Sequence, residues 1–215
     1  MPDTRPTGPP QTDDEPRYSE KYVNHIKELC ARDHRARAAL RSAVARPVER
    51  SPRSHAYLVR RLPDNLYPDD KRAYYAIAAL IADRPRLARD TEAANRQEGE
   101  PGPATGVAVR GWWKRPTLGT ALADGVNKRL MKPNTAESDL HLMARQSSEA
   151  LHTRLPSLLR HLQSGGVQID WPVLLENLAW WDRDRDRIAT RWMESYFSTL
   201  HDDDSATDED AAQTG

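Results

Sequence analysis

The chain has 215 residues, one cysteine, and 32 basic against 32 acidic side chains. That length makes one domain or two small lobes with a sizeable core. The lone Cys30 excludes an internal disulfide and a cysteine-rich metal site, and no apolar run reaches the roughly 20 residues that a bilayer span needs.

The zero net charge conceals a segregation. Residues 1–16 carry four acids and one base, and residues 201–215 carry six acids and no base. Residues 17–200 therefore hold 31 bases against 22 acids, about +9. A basic body between acidic ends suits a polyanion or an acidic protein surface. Of the 32 bases, 26 are arginine, the side chain that forks onto phosphate. A GC-rich coding bias also raises arginine, but it leaves the +9 unexplained.

Residues 1–16 are proline-rich, acidic and nearly free of apolar groups, a composition that predicts disorder. They lack the apolar core of a signal peptide, so a cytoplasmic protein is expected. A first helix is predicted over 18–44, with Tyr22, Ile26, Leu29, Ala36, Leu40 and Val44 on one face. Arg35, Arg37 and Arg41 lie on it, and Arg46, Arg50 and Arg53 follow in a loop punctuated by Pro47 and Pro52. A short helix is expected over 56–62. Tyr67-Pro68-Asp69-Asp70 opens the next, whose continuation AYYAIAALIA is apolar on nearly every side and belongs in the middle of an N-terminal lobe, residues 17–83.

From 84 to 116 the periodicity dissolves, and GEPGPATG reads as a long loop or insert. Its end, Trp112-Trp113-Lys114-Arg115, suits stacking on unpaired bases, docking on a neighbouring subunit, or folding back onto the core. A C-terminal lobe is expected over 117–200. Thr117 caps its first helix, and Asn134 with Glu137 forms a capping box for the second. A leucine helix from Ser148 contains Pro156, which should kink it, and ends at Gly165-Gly166.

Residues 169–197 hold four of the six tryptophans. Leu174, Leu178, Trp181, Ile188, Trp192 and Tyr196 form one helical stripe, interrupted by Asp182-Arg183-Asp184-Arg185-Asp186-Arg187. Asp170 ahead of Pro172 starts the helix. Two helices, or one bent near Asp182, are predicted, with tryptophans inward and arginines in water. Residues 201–215 are expected to be a disordered acidic tail that competes for a basic groove or serves solubility. The class is all-α: two small helical-bundle lobes with disordered acidic termini.

Catalytic patterns are sparse. Neither a phosphate-cradling glycine loop nor a Gly-x-Ser-x-Gly elbow is present. Asp182-x-Asp184-x-Asp186 begins like a calcium loop, but Arg187 stands where glycine is needed and Met193 where glutamate is needed. Asp33-His34 has the shape of a metal-hydrolase pair without a second histidine cluster. No metal or cofactor is expected. Arg183, Arg185 and Arg187 read either as a phosphate contact or as a solvated face of local ion pairs. The run Arg35–Arg53 is diluted by acid only at Glu49.

In order and spacing the chain resembles the CasB family, the small subunit of the type I-E CRISPR surveillance complex Cascade. The resemblance is carried by Thr117-Leu118-Gly119-Thr120-Ala121-Leu122, Leu140 to Arg145 and the leucine helix ending at Leu162. It continues through Ile169-Asp170-Trp171-Pro172, Trp180-Trp181, Arg191-Trp192 and Tyr196-Phe197, and more loosely through Ala38-Ala39-Leu40-Arg41. It implies an all-α subunit without catalytic activity. Two copies would lie along the complex against its backbone and large subunits, holding target DNA and the displaced strand once guide RNA has paired. By position Arg41, Arg145 and the Arg183–Arg187 segment match basic sites of the family. Ser138-Asp139 replaces arginines common in relatives. A helical protein–protein adaptor is the alternative.

Overall fold

Local capping decides where several predicted helices begin, and at Asp33 and Pro52 it overrides the periodicity. The computed structural model describes residues 16–64, 66–97 and 111–212. The tail expected over 1–16, up to residue 15, and the GEPGPATG segment lie outside the described residues. Every regular element among the described residues is helical.

The first departure is at Asp33. Helix α1 is Tyr18–Arg32 and α2 is His34–Arg41, not one helix over 18–44. Asp33 leaves the helical region (φ −123°, ψ 103°), and its Oδ1 accepts the N–H groups of Arg35 at 2.7 Å and Ala36 at 3.0 Å. An aspartate can satisfy the first N–H groups of a new helix, so it starts one where the apolar spacing alone predicts continuation. Next, Pro52 does not lie in a loop but opens α3, Pro52–Leu58, because the first helical position needs no N–H. A 3-10 turn, Val59–Arg61, completes the segment expected as a helix over 56–62.

Helix α4, Pro68–Asp83, forms as predicted and is buried on nearly every side from Ala73 to Ala82. The segment read as patternless contains α5, Arg86–Gln97. Its leucine, alanines, glutamate and glutamine favour helix without marking an apolar stripe.

Thr117 caps α6, Leu118–Asn127: its Oγ1 accepts from the Gly119 N–H at 3.1 Å, and Thr120 Oγ1 accepts from the Thr117 N–H at 3.2 Å. Helix α7, Pro133–Ala144, has Pro133 in its first turn and Lys132 at the cap, displacing the expected Asn134–Glu137 box. Helix α8, Ser148–Ser164, runs on through Pro156.

Helix α9, Trp171–Ala212, starts where Asp170 Oδ1 accepts the Val173 N–H at 3.1 Å. The expected bend falls at Asp184 (φ −140°, ψ 34°). The described backbone of α9 runs past residue 201, where the acidic tail begins, to Ala212. Extending an existing helix costs far less than nucleating one.

Trp171, Trp181 and Trp192 are buried, with the Trp181 and Trp192 rings stacked 4.9 Å apart. Their indoles donate to Gln146 O at 3.1 Å and Asn177 Oδ1 at 2.8 Å, respectively, for Trp181 and Trp192. Trp180 departs from the inward expectation and is 40% exposed, because it lies one residue off the apolar stripe. Gly119 lets α6 approach α9, since a β-carbon there would sit 1.8 Å from the Trp192 carbonyl oxygen. Helix α9 packs on α1 and α4 as well as on α6 and α7, so one continuous core joins the N- and C-terminal helices. Cys30 is buried in it, and burial pushes its thiol up to about 11.

Candidate nucleic-acid interface

The predicted arginines divide between the two ends of α4. Asp70 marks one end and Asp83 the other, about 20 Å apart at 1.5 Å per residue.

At the Asp83 end lies α2, on which α3 packs. Arg41 Nε donates to Asp83 Oδ1 at 2.8 Å, and Arg160 of α8 pairs with Asp83 Oδ2. Arg37 Nε donates to the Ala82 carbonyl at 3.2 Å. Arg35, Arg46 and Arg53 are exposed, and their side chains make no hydrogen bond or ion pair among the described residues. Helix α2, the turn after it and α3 thus present three guanidinium groups with no partner among the described residues, beside one shared ion pair. Arg160 joins this face without having been singled out in the sequence. Only its position off the leucine stripe of α8 hinted at exposure.

At the Asp70 end the arginines are engaged. Arg183 sits 3.0 Å from Asp70 Oδ1, and its guanidinium lies over the Tyr67 ring at 4.8 Å and the Trp180 ring at 5.2 Å. Arg185 pairs with Asp186 at 3.3 Å and Arg187 with Asp184 at 3.7 Å, and Arg187 also covers the Trp113 ring at 4.9 Å. The ridge is therefore largely the face of local ion pairs. Arg145 lies at the turn between α7 and α8, beside the Trp181–Gln146 bond; it is exposed and partnerless among the described residues.

The Trp112–Trp113 pair takes two roles. Trp112 is half-buried between Arg17 at 4.2 Å and Arg115 at 4.7 Å, while Trp113 is 65% exposed. Arg115 is buried and forks onto Asp170 at 2.8 and 2.9 Å, with Glu20 at 2.5 Å on its remaining arm. Burial nevertheless holds the Asp170 carboxyl above its ordinary value, against the pull of Arg115. Arg191 Nη2 donates to the carbonyls of Trp112, Trp113 and Arg115 at 3.2–3.3 Å, fixing this turn onto α9. Trp113, Trp180, Arg187 and Arg191 then border an open groove of about 800 Å³, with Glu176, Asp184, Asp186 and Glu194 on the same walls. Its mixed charge makes it a poorer phosphate site than the α2–α3 face.

Asp33 serves as a helix cap, and no cluster of three or more metal-binding side chains occurs among the described residues. No described helix is long and apolar enough to cross a membrane.

Two solved chains are similar over nearly the whole fold. One, from a CRISPR RNA-guided surveillance complex, shares 30% identity at a TM-score of 0.73, covering 88% of this chain and 97% of that one. Another, from such a complex in a pre-nicking state, shares 32% identity at 0.75 with the same coverage. The crystal structure of M. ruber CasB shares the fold at a TM-score of 0.68 and 21% identity, over 89% of this chain and 99% of that one. No curated protein sequence matches. The family of the CRISPR-associated protein Cse2 matches residues 36–197, from the first turn of α2 to the aromatic end of the α9 stripe. Matched by that family model over three quarters of its length, the chain belongs to the CRISPR-associated Cse2 family.

Proposed function

We propose that the protein is a non-catalytic small subunit of a Cascade-type RNA-guided surveillance complex that grips nucleic-acid backbone. The observation that carries this reading is the set of exposed arginines without a partner among the described residues, Arg35, Arg46, Arg53 and Arg145, on a Cse2-family fold. Arg37, Arg41, Arg185 and Arg187 join them by exchanging a carboxylate or carbonyl for a phosphate. Arg183 stays in its aromatic slot. Such contacts read phosphate and not sequence, and they stabilise the R-loop, whose formation is a nearly balanced exchange. The proposed partners are the backbone and large subunits of the complex, a second copy of the chain, guide RNA and both strands of target DNA, in the cytoplasm.

The test is a gel-shift titration at several salt concentrations with Arg35, Arg46 and Arg53 all changed to alanine. Affinity should fall alike for every sequence. The log-log salt slope should flatten by about 0.9 for each lost contact on duplex, or about 0.7 on single strands. Binding equal to the parent's rejects the reading. The same change at Arg183, Arg185 and Arg187 should flatten the slope less, because those charges are already paired.

A helical adaptor without nucleic-acid contact is favoured by the exposed Trp113, Trp180 and Phe197, which suit protein neighbours. Unaltered salt dependence together with loss of co-purification on changing Trp113 would select it.

A further inference from the structure

Between the two ends of α4 lies a narrow cleft that the arginine pattern does not reveal. Its walls come from the turn after α2 (Arg46), from α4 (Arg72) and from α8 (Glu149, His152, Thr153, Pro156). The space is about 50 Å³. One water needs roughly 10–15 Å³ on that scale, so the cleft has room for three to five oxygen-sized atoms, about the size of a phosphate group.

Its polar inventory is unbalanced. Both ring nitrogens of His152 are buried, and neither has a hydrogen-bond partner among the described protein atoms. Arg46 and Arg72 likewise have no partner among the described residues. The Thr153 hydroxyl already donates to the Glu149 carbonyl at 3.1 Å, so it offers no donor. A buried imidazole with two idle nitrogens is costly, and the two idle guanidinium groups beside it outnumber the single carboxylate of the walls, Glu149, so the site has donors in excess.

The geometry points to an anion notch in which Arg46 and Arg72 flank a phosphate group and His152 donates to one of its oxygens. The assignment to a nucleic-acid phosphate rests on the reading proposed above; the anion chemistry does not. A phosphodiester has no hydroxyl to give the second ring nitrogen, so binding it favours the doubly protonated ring. The groups facing His152 are Arg46, Arg72, Glu149 and, from α9, Asp182. In the free protein burial, with Arg72, pushes the ring down to about 4. A bound anion opposes both causes, so affinity should rise as pH falls.

The test uses the full chain and the imidazole nitrogen resonances, with His152 assigned from a His152→Phe variant. Inorganic phosphate and a short oligothymidylate are titrated separately. Saturable shifts confined to the His152 ring support the notch. Saturation at lower oligonucleotide than phosphate concentration assigns it to nucleic-acid backbone, and the reverse order assigns it to free phosphate. His152→Phe should weaken the preferred ligand roughly tenfold to a hundredfold, the value of one hydrogen bond to a charged group. It should also raise Tm, since it removes an unpaired buried imidazole; a purely structural role predicts no change in binding. Arg46→Gln with Arg72→Gln should abolish the shifts without touching the core. Undisturbed His152 resonances with both ligands overturn the notch. If DNA binding meanwhile still depends on Arg35 and Arg53, the wider reading survives that failure.

Discussion

The arginines near the Asp70 end of α4 are paired, whereas those on α2, the turn after it and α3 are partly paired and partly idle. At the Asp70 end, Arg183, Arg185 and Arg187 are met by carboxylates, and Arg183 and Arg187 also by aromatic rings; nearby Arg115 is buried in a carboxylate fork. On α2, the turn after it and α3, Arg35, Arg46 and Arg53 are exposed and have no partner among the described residues. A guanidinium already paired must give up that pairing before it can release counterions from DNA, so its net contribution to binding is smaller. Basic residue counts therefore overstate one end and understate the other.

The comparison breaks most decisively at Arg115. Changing it to alanine leaves the Asp170 and Glu20 carboxylates without their shared cation, and Asp170 is nearly fully buried. Urea unfolding should register a loss of about 3 to 5 kcal/mol. A loss under about 1 kcal/mol would mean that the engaged end is not held by its charges.

Acid offers the next largest effect. His152 titrates at about 4 when folded and at the ordinary 6.5 when unfolded. Below 6.5 the unfolded chain takes up the proton first, so stability falls with pH from about 6.5 to about 4 and then levels. The drop is on the order of 3 kcal/mol. The His152→Phe profile should be flatter over that window; an unchanged profile would clear His152 of the effect.

A finer cut compares two exposed arginines. Arg183→Ala should cost about 1 to 2 kcal/mol in urea unfolding, through lost stacking and an uncompensated Asp70. Arg53→Ala should stay within about 0.5 kcal/mol while flattening the salt slope of DNA binding by about 0.9. Equal stability costs at the two positions would erase the distinction between the ends.

The all-α class, the buried α4, the Thr117 cap and the α9 bend were legible because each follows from neighbours in sequence. The break at Asp33 was not: its apolar flanks continue the stripe, and only the carboxylate's choice of N–H partners ends α1. Helix α5 was missed because its residues favour helix without an apolar face. The split among the arginines was hidden for another reason. Arg183 meets Asp70 and Arg41 meets Asp83 only after α4 has been laid against α9 and α2. Nor does spacing suggest that Arg46, Arg72 and His152 share a cleft, since each comes from a different element.

Cys30 has a practical consequence. At neutral pH almost none of it is thiolate, and the core shields its sulfur, so alkylating reagents should modify the native chain very slowly. Since it is the sole thiol, its labelling rate counts excursions that expose the core. The same readout, repeated with and without an assembled complex, would gauge how far the neighbours of this subunit suppress its breathing.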